Sequence, residues 1–163
     1  MTASERPGGA ERAERHVFAY GSLMFDAVWS RVVVGRYRAH RAVLAGYERR
    51  AVRGQTYPGV VPRPGAQVAG VLHERVDPLD LQRLDAFEGS DYERLELPVR
   101  LQRGGAAAAS GDAAECATHL AAEVYVWRDA ARLQPHAWDA GRFEREGLER
   151  FLAEYCRPRG IDC

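Results

Sequence analysis

Apolar residues in this chain cluster in short runs, first as an unbroken stretch and then with helical or alternating spacing. His16-Val17-Phe18-Ala19-Tyr20 is a continuous run ending at Gly21, the pattern of a buried strand that turns sharply at a glycine. Asp26 to Val33 predicts a short helix in which Val28, Arg31 and Val32 share a face. Arg41 to Val52 predicts one or two strands with a bend at Gly46, and Gln67 to Val76 returns to strand character. Between them, Gly54, Pro58, Gly59, Pro62, Pro64 and Gly65 predict a loop. Asp77-Pro78 opens a helix with an N-cap and a proline at its first position, running to about Glu88, with Gly89 as its left-handed end.

Further on, Leu95, Leu97, Val99 and Leu101 alternate with polar residues, as in a strand with one buried face. Arg103 to Ala122 is rich in Ala and Gly and predicts an inserted loop or hairpin tip. Glu123 to Arg128 predicts a buried strand with the core Val124-Tyr125-Val126-Trp127, and Asp139 to Cys156 predicts a closing helix. Phe143, Leu148, Phe151, Leu152 and Tyr155 make that helix's apolar face. Strands dominate the middle and helices are few, so the expected class is α+β rather than a doubly wound sheet.

Length and composition narrow the picture. The 163 residues suit one domain able to bury roughly 70% of its extended-chain surface. Basic and acidic residues both number 23, so no electrostatic footprint for nucleic acid stands out. Every basic residue is Arg, which excludes a Schiff-base lysine and a Walker A phosphate loop. The chain has no Asn, which excludes N-glycosylation and a Cys-His-Asn triad. Cys116, Cys156 and Cys163 contain no Cys-x-x-Cys and are expected to be free thiols in a reducing, cytoplasmic setting. Residues 1–15 are polar and expected to form a disordered tail, 16–156 the domain with its insertion at 103–122, and 157–163 a second tail. No apolar run approaches the length that crosses a bilayer.

Two segments carry candidate chemistry. At 100° per residue, Glu88 shares its helix face with Leu81 and Leu84, so its carboxylate is expected to be desolvated. Desolvation and the negative helix end both favour a raised pKa, as a proton shuttle near neutral pH requires. The competing reading is a helix-terminal Glu paired with an arginine. Tyr20-Gly21-Ser22-Leu23 offers backbone donors at a strand end; the same residues also suit plain turn chemistry. Ser22 lacks the Gly-x-Ser-x-Gly setting of a nucleophile and has no obvious His/Asp partners downstream. The five histidines are scattered, and Cys116 with His119 forms only a lone pair at ligand-like spacing, so no metal is expected. Arg49, Arg50 and Arg53 read as a solvated strand face.

The order of the pieces is more specific than any one of them. Tyr20-Gly21-Ser22-Leu23 comes first, followed by Tyr57-Pro58-Gly59 and Gly70-Val71-Leu72. Leu84-Asp85-Ala86-Phe87-Glu88-Gly89 follows, with Tyr92 and Arg94 just after it; then come Val124 to Trp127 and Trp138-Asp139. From roughly Val17 to Leu152 this resembles the gamma-glutamyl cyclotransferase-like superfamily, especially its plant avirulence-induced-protein-like branch. The resemblance implies a compact mixed β-barrel with flanking helices, and a longer connection than usual at 103–122. It also implies that Tyr20, Gly21, Ser22 and Leu23 line the substrate pocket, joined by Tyr57, Tyr92 and Tyr125, and that Glu88 is the catalytic acid/base. The implied partner is a small γ-glutamyl molecule, converted to 5-oxoproline and a free amine without cofactor or metal, and without nucleic acid or membrane. Two other readings stay open: a non-catalytic module on the same fold that binds a small carboxylate or a protein, and a hydrolase using Ser22.

Overall fold

Strand β1 (Arg15–Ala19) sits at the seam of a closed ring. It pairs parallel with β5 (His119–Trp127) and antiparallel with β3 (Pro58–Val76). β3 pairs with β2 (Ala39–Val52), β2 with β4 (Tyr92–Leu101), and β4 with β5, which closes a five-stranded mixed barrel. A sixth strand, β6 (Leu133–Ala137), extends the sheet along the far end of β2. Helices α1 (Asp26–Val32) and α2 (Pro78–Glu88) and a C-terminal helical segment from Ala140 flank the barrel. This computed structural model describes residues 14–102 and 118–156.

The unbroken apolar run of β1 follows from burial on both faces. Phe18 and Tyr20 face a barrel interior shared with Leu44, Leu72, Val99 and Val124. Val17 and Ala19 face a second core built with Val28 and Trp29 of α1, Leu84 and Phe87 of α2, and Phe143 and Phe151. α2 starts as its sequence dictates, with the Asp77 side chain accepting the Leu79 N–H at 2.7 Å. It ends at Gly89, whose N–H donates to the Asp85 carbonyl; φ is +73° but ψ is −164°, so this is a positive-φ stop outside the left-handed helical region.

Several sequence expectations need correction. The stretch Gly54 to Gly65 is a loop only at its start, because β3 begins at Pro58. Over Pro58 to Pro62 the ladder is to β2 alone, so the other edge needs no proline N–H. The expected bend at Gly46 is a register shift between Ala45 and Tyr47, with φ +79° at Gly46. Strand β5 begins at His119, so His119 to Ala122 do not belong to the insertion; residues 103–117 lie outside the described residues, as do 1–13 and 157–163. Arg15, expected in the tail, is the first residue of β1 and pairs with Glu96. The closing helix is interrupted by two π-helical turns, Phe143–Gly147 and Leu152–Cys156.

Candidate active site

The chain leaves the barrel at Tyr20 and turns at once. Met24 N–H donates to the Gly21 carbonyl at 3.0 Å and Phe25 N–H to the Ser22 carbonyl at 3.2 Å, forming a single 3₁₀ turn over Ser22–Met24. The turn's own hydrogen bonds thus begin with Met24, and the N–H groups of Ser22 and Leu23 precede any acceptor within it. Gly21 is pressed against the β2–β3 hairpin: a Cβ there would stand 2.9 Å from the Pro58 ring. On the other side, the Arg49 guanidinium donates to the Tyr20 carbonyl at 2.7 Å and lies 5.1 Å above the Trp138 ring. Arg49 is therefore folded in against the strand end, and the expectation of a solvated face fails for it. Its reach to β1 depends on barrel closure, which no local pattern encodes.

Beside this turn lies a pocket open to solvent. Tyr20, Gly21, Ser22 and Leu23 line it, as do Tyr57, Glu88, Tyr92 and Tyr125, so all eight residues singled out in the sequence meet at one cavity. Glu88, the last residue of α2, is half-buried there. Around it the phenol protons are committed elsewhere. Tyr20 donates to the Tyr125 carbonyl, Tyr92 to the Pro58 carbonyl at 2.7 Å, and Tyr125 to Asp85 Oδ1 at 2.9 Å.

Electrostatics reflect this crowding. Burial, and after it the Glu88 carboxylate, pushes the Tyr20 phenol well above the usual tyrosine range. Tyr92 is raised by burial, then by Tyr20 and Glu88. Tyr125 is raised by burial, then by Asp85 and Glu88. Tyr57 rises through burial and its contact with Tyr155. These phenols stay protonated at neutral pH and serve as fixed dipoles.

Further pocket residues went unassigned in the sequence reading, among them Asp91 and three aromatics. Asp91 lines the pocket and pairs with Arg132 at 2.9 Å. Phe87, Phe151 and Tyr155 form an aromatic wall, with Phe151 and Tyr155 stacked at 4.7 Å and Tyr155 edge-on to Tyr57 at 5.4 Å. Phe151 and Tyr155 were legible as an apolar helix face but not as pocket lining, because that depends on where the segment docks. Ser22 is 7% exposed, and among the described residues lining the pocket there is no histidine to activate it.

A family model described as gamma-glutamyl cyclotransferase, AIG2-like, matches residues 17–145. The chain belongs to this AIG2-like family. AIG2-like protein D of Arabidopsis thaliana is 30% identical to it over 140 residues, 83% of each chain. A protein of Arabidopsis thaliana solved in solution superposes with a TM-score of 0.62 at 27% identity, covering 93% of this chain and 82% of its own. A solved structure named gamma-glutamyl cyclotransferase superposes with a TM-score of 0.59 over 91% of this chain and 88% of its own; at 17% identity it speaks to the fold. In this AIG2-like chain the aromatic wall from Phe151 and Tyr155 lies beyond the matched region, whereas the strand-end turn and Glu88 lie within it.

Proposed function

We propose that this AIG2-like protein cyclises a γ-glutamyl amide, releasing 5-oxoproline and a free amine, with Glu88 carrying the protons. The observation that carries the reading is the half-buried Glu88 carboxylate on the same cavity wall system as the Gly21 to Leu23 turn. The substrate supplies its own nucleophile. Its α-amine nitrogen bonds to the γ-carbonyl carbon, closing a five-membered lactam, and the bond from that carbon to the departing nitrogen breaks. Two protons leave the attacking nitrogen and two arrive at the leaving one, so a single carboxylate that acts as base and then acid twice, carrying one proton each time, keeps the balance. Intramolecular attack is worth an effective molarity on the order of 10⁵ M or more, which leaves the protein mainly positioning and charge stabilisation to supply.

The pocket's other groups suit those tasks. Phenolic oxygens whose protons are already donated offer lone pairs to an ammonium group. In this reading the backbone N–H groups of Ser22 and Leu23, which the turn's own hydrogen bonds leave unused, would meet an oxyanion or the substrate's α-carboxylate. Mass spectrometry of products from a panel of γ-glutamyl amides tests the reading. We expect 5-oxoproline and the free amine in equal amounts. Glutamate as the product would replace cyclisation by hydrolysis through Ser22, and tight binding without any product would leave a binding module.

A further inference from the structure

Arg49 is a half-buried cation of β2 that stands outside the pocket, in a separate open groove with Arg50, Ala69 and Trp138. Burial lowers its pKa, the mark of a guanidinium drawn out of water, and such a group needs partners. It donates to the Tyr20 carbonyl at 2.7 Å and to the Ala69 carbonyl at 3.4 Å, and it lies 5.1 Å above the Trp138 ring. Trp138 is itself fixed. Its indole N–H donates to the Thr56 carbonyl at 2.8 Å, and its ring packs on Phe143 at 5.3 Å. The guanidinium is thus seated on a buried ring, and the shorter of its two bonds goes to the last carbonyl before the strand-end turn.

The place of that carbonyl gives the bond its consequence. The Tyr20–Gly21 peptide is trans, as are all peptide bonds among the described residues. Its C=O and N–H therefore point in opposite directions, and a bond that holds the oxygen restrains the plane of both. Gly21 follows directly, and a glycine leaves the chain more directions than any other residue. The Pro58 ring limits the joint on one side, and Arg49 holds the peptide that enters it. We propose that Arg49 is a positioning residue, which by holding the Tyr20 carbonyl from outside the pocket fixes the orientation of the Gly21 to Leu23 turn. This rests on the reading that the Ser22 and Leu23 N–H groups receive the substrate's oxyanion or α-carboxylate. Donors held in place beforehand cost no reorganisation as charge develops, whereas a turn free to rotate must be ordered at each turnover. Arginine suits the task, because it stays charged and its planar fork meets a ring face and a carbonyl together.

The test pairs two measurements on the full chain. One is the backbone carbon-13 shift of the Tyr20 carbonyl in the unliganded protein, with the Ser22 and Leu23 amide signals. The other is steady-state kcat/KM on a γ-glutamyl amide. Arg49→Met removes the donor but keeps a stem that covers Trp138, so it is expected to fold. In it the Tyr20 carbonyl should move upfield, the Ser22 and Leu23 amides should shift, and kcat/KM should fall about tenfold or more. Arg49→Lys, which keeps a charged donor, should recover most of both. Arg50→Met is the control: Arg50 donates to the Gln134 carbonyl at 2.7 Å, so its loss should leave the Tyr20 signal and turnover as in the wild type. Should Arg49→Met unfold, Arg49→Gln, whose shorter stem ends in a neutral amide, is read in the same way. A Tyr20 signal that stays in place without the guanidinium overturns the proposal, and so does a displaced one with wild-type kcat/KM. Failure of the underlying reading looks different, because the wild type itself then yields no 5-oxoproline.

Discussion

Gly21 shows how one residue shapes the pocket. Its φ of −125° does not demand glycine; the Pro58 ring does, by occupying the space a Cβ would need. Pro58 also presents the carbonyl that holds the Tyr92 hydroxyl, so displacing it disturbs two walls together. Gly21→Ala should therefore cost about 1–3 kcal/mol of stability and lower kcat/KM roughly tenfold or more. Ser22→Ala should be milder in both melting temperature and kcat/KM; its abolishing all activity would contradict this account. The glycine was legible in the sequence, but the reason for it was not, since α1 and β2 separate Gly21 from Pro58 along the chain. Glu88 was more legible: its spacing from Leu81 and Leu84 put it on the inward side, and those two leucines are indeed buried while Glu88 reaches the cavity.

Among the elements, α2 carries Glu88 at one end and its anchor near the other. Asp80, 2% exposed, accepts the Val34 and Gly35 N–H groups at 2.9 and 2.8 Å and the Tyr37 hydroxyl at 2.6 Å, and it pairs with Arg83 at 2.6 Å. Asp80→Ala leaves those donors without their acceptor and should cost about 3 kcal/mol, read as a lower melting temperature. Burial pushes the Asp80 pKa up, but the bonds from Tyr37, Val34, Gly35 and Arg83 outweigh it and hold it below the usual carboxylate range. Its contribution is thus complete above the unfolded value of about 3.9 and is lost as pH falls through the lower folded value. The stability gap between wild type and Asp80→Ala should be constant near neutrality and narrow only below about pH 4. Nothing in the sequence pattern marked Asp80, because all its partners but Arg83 come from the link between α1 and β2. The same limit hid β6, which forms by pairing Leu133 and Ala137 with Val52 and Arg50, and the π-helical turns, which a 3.6-residue period does not reveal.

At the scale of the whole molecule, the pocket lies where two cores meet. β1 contributes Phe18, and the residue after it Tyr20, to the barrel interior, β1 also contributes Val17 and Ala19 to the helical layer, and all four line the cavity. The parallel β1–β5 pairing brings Tyr125 beside the strand-end turn, and α2, packed on the helical side through Leu84 and Phe87, brings Glu88 to the same place. The architecture was legible because ordered motifs at the strand and helix ends identify the barrel even where individual boundaries shift. The central claim is that Glu88 carries protons for a cyclisation. The direct measurement is turnover of a γ-glutamyl amide to 5-oxoproline by Glu88→Gln beside the wild type, with melting temperatures recorded for both. The account predicts a loss of about 10² or more in kcat with the melting temperature retained; wild-type turnover from the folded variant would contradict it.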